Sequence, residues 1–442
     1  ACLADSFSCR VRLLGQGLRD LVFNFPYLFE MRAVGTEGDR VTQGRSHLSV
    51  APNGVCTIPC FGSDVFPPTG LDTVIEGCHA LNPGIRVFHH QATCTRSESR
   101  TQMSAWAAAI DQWMAEQDVL FVLPANHSED TGEKSARVAE PGQSLNGLTV
   151  GCWHSGQEEG NSDWEGMGGL WHSVKPEVVI PAASAAAASA IVADMVAAIA
   201  QAFRAERCGL YRALLVHSAR WLETEAVSAG SSIHNLRWMG YGQPDLDRAL
   251  GNTPSRVTFF TSGEQRIKAR QVHIYQIDFP QSLVTTHPDC VVLIEVTLAY
   301  TARPARTYQG HNGYLSTWLS WQSNRRRESA ADFVARMVGE GEELEGIQQG
   351  QVAYKWAIGT QKRFDPQTGV LRRASRNAST LQKDWTQVKL SEIGVAFCVA
   401  VIGHEGWERS PDTDAEYGLV VSFEAIGETK FTLYELIVER TL

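Results

Sequence analysis

Residues 83–126 read PGIRVFHHQATCTRSESRTQMSAWAAAIDQWMAEQDVLFVLPAN. The short apolar run IRVFHH predicts a strand, and Ser104 stands where a hydroxyl can cap a helix. Behind it Trp106, Ile110, Trp113 and Met114 recur at spacings of three and four, so they share one stripe of that helix. DVLFVLPA follows almost without polar residues, as expected of a strand covered on both faces. Strand, helix, strand predicts a parallel pair joined by a right-handed crossover.

The pattern continues outward. Ile191, Val192, Met195, Val196, Ile199 and Phe203 give a second helix over about Ser184 to Arg204, CGLYRALLVHSARWL a third, and Leu71 to Cys78 an earlier one. Together they predict an α/β domain over 49–250 with a parallel sheet flanked by helices. Residues 1–48 hold one apolar run, LRDLVFNFPYLFEMRAV, and read as a leading segment with a strand or two and an irregular link. After residue 251 the helical period fades. SRVTFFTSG, QVHIYQIDF, CVVLIEVTLAY, YLSTWLSW, VAFCVAVIG, YGLVVSFEAI and FTLYELIV are β-rich runs between turn residues. In the third, Ile294, Val296, Leu298 and Tyr300 alternate with Glu295, Thr297 and Ala299, the pattern of a strand with one dry face. The prediction for 251–442 is an antiparallel β-sandwich with one helix around Ser329 to Val338.

Composition sets the outer limits. The 442 residues carry 39 Lys and Arg against 49 Asp and Glu, a net charge of −10, with 43% hydrophobic residues. The cations are dispersed apart from Arg325, Arg326 and Arg327, which argues against a nucleic-acid face. No uninterrupted apolar run approaches the ~20 residues that span a bilayer, and no membrane partner is expected. The 10 cysteines are thinly spread, several inside apolar runs, so free thiols and a cytoplasmic location are expected. Cys56, Cys60, His89, His90 and Cys94 do not match a common zinc spacing, and no metal or other cofactor is expected. His404-Glu405 lacks the second histidine of a His-Glu-x-x-His site and reads as a turn between strands. Trp318, Trp321 and Trp385 read as core, with a lectin-like surface as the alternative.

The order of several segments carries more information than any one of them. SVAPNGVCTIPCFGSD, RVFHHQ, SAWAAAIDQWMAEQDVLFVLPANHSED, VKPEVVIPA, the Ala/Ser-rich helix start, YRALLVHSARW and MGYGQPDLDRAL together resemble the subtilisin-like serine peptidases over roughly residues 45–250. The later stretch TSGEQRIKARQVHIYQI through LVVSFEAI looks like the C-terminal domain of a large bacterial branch of that family, often encoded beside an AAA-type ATPase. The resemblance implies a peptide or protein substrate, with that ATPase as a candidate partner.

It also implies four chemical groups: a serine nucleophile, a histidine base, an aspartate that orients it, and an amide for the oxyanion. Asn126 stands where the family has its oxyanion asparagine, a group worth about 3–4 kcal/mol of barrier. Laying the helix face onto Val192 and Met195 puts the nucleophile at position 186, which is alanine, with Ser184 and Ser189 on either side. No Asp-Ser-Gly or His-Gly-Thr block occurs. His47 is the nearest histidine in order and Asp39 the nearest acid; both read as linker residues, with base and orienter as the alternative. His90, Gln91 and Ala92 fall on the strand that in the family pairs with the substrate backbone. The expectation is a subtilisin-like serine endopeptidase inactive through Ala186, the alternative a non-catalytic pseudo-peptidase that binds a peptide or a partner.

Overall fold

The structure, a computed structural model, describes residues 85–90, 102–125, 138–153, 170–221, 231–305, 311–338, 352–359, 376–427 and 431–438, short strands before residue 58, and a few positions between. The helix expected near Leu71 to Cys78 lies outside the described residues.

A seven-stranded sheet runs in the order β3-β4-β2-β5-β6-β7-β8. Its strands are β2 (Leu28–Met31), β3 (Ser49–Val50), β4 (Cys56–Thr57), β5 (Val87–His90), β6 (Leu120–Pro124), β7 (Leu148–Trp153) and β8 (Val178–Pro181). From β4 through β8 every pairing is parallel. Successive residues of a strand face opposite sides, and β5 shows what covers each. His89 reaches Ser189 on α2 (Ala185–Ala202), while the His90 ring lies against Trp106 on α1 (Ala105–Glu116). Helices therefore cover both faces, which is why β5 and β6 are buried along their whole length.

Both helices begin as the sequence predicts. Ser104 Oγ accepts from Ala107 N at 3.1 Å and Ser184 Oγ from Ala187 N at 3.2 Å, each satisfying one of the unpaired amides of a first turn. On α2 the buried stripe is Ala185, Ala188, Val192, Val196 and Ile199, whereas Ile191 faces outward. α2 is long and apolar enough to cross a bilayer by composition, but 56% of it is buried inside the protein, as befits a core helix.

The second half has two antiparallel sheets. One has six strands, in the order β1-β9-β16-β12-β14 with β10 on β16; the other is β11-β15-β13. The strands are β1 (Val11–Leu13), β9 (Arg256–Thr261), β10 (Arg266–Lys268), β11 (Val272–Asp278), β12 (Val291–Thr301), β13 (Thr317–Ser323), β14 (Leu381–Lys389), β15 (Ala396–Glu405) and β16 (Asp414–Ala425). Ile294, Val296 and Phe423 of the first sheet share one core with Tyr275, Trp321 and Val399 of the second. Of the strands in the first 48 residues, β1 pairs with β9 and β2 with β5, one in each half.

Some expectations fail for identifiable reasons. FTLYELIV is helical over Leu433–Val438, because Leu433 and Ile437, four apart, are the residues it buries. LQKDWTQVK, a polar run absent from the predicted strands, is the edge strand β14 of the six-stranded sheet. His404 and Glu405 close β15 instead of forming a turn, with His404 stacked on Trp318 at 3.8 Å and bonded to Ser320 Oγ at 2.7 Å. Trp321 is fully buried, while Trp318 and Trp385 are partly so. Among the described cysteines Cys152, Cys208, Cys290 and Cys398 are free thiols.

The largest departure is β12, whose second face is not wet. Glu295 and Thr297 are buried because α3 (Cys208–Ser218) lies across β12 and β16 and joins the halves. Gly418 permits that approach, since a Cβ there would stand 2.8 Å from Leu210 Cα. Lys383 of β14 points its ammonium at the last carbonyls of α3, those of Val216, His217 and Ala219. His217 bonds Thr297 Oγ1 at 2.9 Å and Ser422 Oγ at 2.8 Å.

Candidate active site

In an open parallel sheet, ligands gather at the carboxyl ends of the strands. Here those ends are Met31 of β2, His90 of β5, Pro124 of β6, Trp153 of β7 and Pro181 of β8. The chain leaves β8 at Pro181, and by Ser189 it is in hydrogen-bond contact with His89 of β5, 2.9 Å away. Strands β7 and β6 lie between β8 and β5. The first turn of α2 therefore passes beneath the carboxyl ends of both, with its amino end, the positive end of the helix dipole, at that edge.

Position 186 sits in this turn and is partly exposed. Its side chain offers one methyl group and no nucleophile. Neither neighbouring serine substitutes for it. Ser184 Oγ is the helix cap. Ser189 Oγ is fully buried, 2.9 Å from Ala186 O and 2.9 Å from His89 Nε2. Both hydroxyls are committed to holding the helix.

β6 ends at the same edge. Ala125 N donates to Val150 O at 2.8 Å, and Ala125 O accepts from Ala139 N at 2.7 Å, so the chain that leaves β6 returns to it within a few residues of Glu140. Asn126 itself, like His47, Asp39, Gln91 and Ala92, lies outside the described residues. His90 is 1% exposed with its ring on Trp106 and its backbone is paired with Met31 of β2, so its side chain does not face a ligand.

The sequence reading missed Glu140. It is 7% exposed and accepts from Ser104 Oγ at 2.6 Å. Burial, reinforced by nearby Asp111, pushes its carboxyl up to about 7, against the pull of the Ser104 bond. Asp111 is itself buried and held by Ser144 Oγ, Tyr314 OH and the amides of Leu145 and Asn146. Burial pushes its carboxyl up as well, against those four bonds. Further along, Lys175, Glu177 and Arg212 form a buried ion cluster at 2.6 and 2.8 Å. Among the described residues no group of three or more His, Cys, Asp or Glu side chains is placed to hold a metal ion.

No family model matches this chain, and no curated protein matches it. Several solved structures are similar over about half of it. MycP1 with its N-terminal propeptide removed is 13% identical, covering 52% of this chain and 92% of its own, with a TM-score of 0.33. A psychrophilic S41 protease is 15% identical over 50% and 92%, with a TM-score of 0.34. The prenylagaramide maturation protease PagA is 16% identical over 51% and 93%, also at 0.34. Identities and scores this low do not establish a family.

The edge of the sheet offers a helix amino end lined by Ala185, Ala186, Ala187 and Ala188, with a buried serine–histidine pair one turn further in. The Ser189–His89 pair was legible in principle. A strand covered on both faces that contains histidine must give its polar ring nitrogens partners from the covering helices.

Proposed function

We propose that this chain is a non-hydrolysing peptide-binding protein on a subtilisin-like frame, a pseudo-peptidase. One observation carries the reading: the segment that enters α2, bonded to Trp153 O at the end of β7 and to His89 of β5, has alanine at position 186, Ser184 as helix cap and Ser189 buried. Attack on a carbonyl needs a free hydroxyl or thiol with a base in reach. Peptide binding needs much less, namely an accessible strand edge and a helix amino end that favours carbonyl oxygens and carboxylates. The backbone after His90 and the amide of Asn126 would supply the former and help with the latter. An AAA-type ATPase as partner and a cytoplasmic setting belong to the same proposal, the second supported by the free thiols.

The test uses the recombinant 442-residue chain. Fluorescent casein-derived peptides should show saturable binding by anisotropy and remain intact by mass spectrometry. Turnover blocked by a serine-directed inhibitor would restore the endopeptidase reading, and absence of peptide binding would remove both.

A further inference from the structure

We propose that the two halves are one cooperative unit with α3 as its central layer, so that the β-rich half is a structural part of the α/β frame and not a separable module. α3 is buried at every residue from Leu210 to Ser218, the condition of a helix with a core on each flank. It packs on α2 and β6 to one side and on β12 and β16 to the other. The two cores also exchange side chains across it. Phe260, Leu381 and Val420 of the β-rich half lie in the core built on the parallel sheet, and Met103, Ala107 and Leu145 of the α/β half lie in the core of the sandwich.

Polar groups repeat the pattern along the helix. At its amino end Cys208 N donates to Asp118 Oδ1 of the α/β half at 2.8 Å, while Arg207 donates to both oxygens of Glu416 on β16, at 2.8 and 3.0 Å. In its middle Arg212 donates to Glu177 of the α/β half at 2.8 Å and to Thr380 Oγ1 of the β-rich half at 2.9 Å. At its carboxyl end His217 and the last carbonyls meet Thr297, Ser422 and Lys383 of the β-rich half. Opening one half alone would strip partners from buried groups of the other and expose the apolar surface they share. It would release the chain entropy of that half only, so the partly open state is disfavoured against both the closed and the fully open chain.

Native-state hydrogen exchange of the full chain distinguishes one unit from two and needs no ligand. Val122 of β6 and Val296 of β12 each lie on a strand paired on both sides, one in each half. Val399 is buried in the sandwich core that Val296 faces, whereas Thr297, the next residue, faces α3. Val399→Ala therefore weakens the β-rich half at a place remote from the helix. It should lower protection at the Val122 and Val296 amides by one common factor, about tenfold to a hundredfold. A fall at Val296 with Val122 unchanged would overturn the proposal, because the halves would then open separately. Wild-type protein supplies a second reading that does not depend on the variant folding. In low urea the two amides should report equal opening free energies and equal urea slopes, and a smaller slope at either one would overturn the proposal as well.

Discussion

At the amino end of α2 the chain places Ala185, Ala186, Ala187 and Ala188, whereas along α3 it buries His217 of the helix with Glu295 and Lys383 beneath it, and half-buries Arg248 beside them. The first place is where a sheet of this kind keeps its chemistry, and it is chemically bare. The second is a seam between two halves, where apolar packing would suffice, and it holds a network of ion pairs among Glu295, Glu424, Arg220, Arg248 and Lys383. Burial alone would push the Glu295 carboxyl up, but Lys383, Arg248 and Arg220 together hold it well below the usual carboxylate range. Burial pushes His217 well below its ordinary value, and Lys383, Arg256 and Arg248 add to that against Glu295. Ionisable groups here specify how the halves join and need not mark catalysis. A buried ion network is a poor source of net stability and a strict condition on geometry.

That contrast can be broken at its strong end first. Glu295→Leu leaves Lys383 buried without its carboxylate and Arg248 paired with Glu424 alone, and should cost about 3–5 kcal/mol by urea denaturation. A loss under about 1 kcal/mol would show that the seam tolerates apolar replacement. Gly418→Ala drives a methyl into the α3 backbone and should cost about 1–3 kcal/mol, read as an earlier urea midpoint with an unchanged slope.

The pH response of the seam is smaller and has a definite sign. His217 binds its proton less readily when folded than when unfolded, so its contribution is fully present above about pH 6.5 and is lost on acidification. The stability of wild type relative to His217→Gln should fall by up to about 1.4 kcal/mol for each pH unit below that point. A difference constant with pH would mean that the imidazole is charged in the fold. At the bare end, Ala186→Ser should change stability by no more than about 0.5 kcal/mol and leave a chromogenic peptide uncleaved. Measurable hydrolysis would show that a base stands within reach of position 186.

How much of this was legible follows the kind of signal involved. Periodicity gave α1 and α2 with their caps, because Ser104 and Ser184 precede apolar stripes that only a helix lines up. It failed at β14, where Gln382, Lys383, Asp384 and Thr386 are buried yet bonded; a polar pattern reads as exposed unless its partners are known. It failed in the same way on β12, where Glu295 looked like a wet face. At the candidate site the sequence exposed the alanine at position 186, which is a local fact. It could not expose the His89–Ser189 bond or the Ser104–Glu140 bond, whose partners stand 100 and 36 residues apart.

The Lys383 ammonium has a consequence for synthesis. It reaches back 164 residues to Ala219 O, so when α3 leaves the ribosome its final carbonyls have no ammonium to meet. The leading half must wait with that helix end solvated, or held by a chaperone, until the edge strand of the other half has been translated. A nascent chain halted before that strand would present an unfinished helix end to its surroundings.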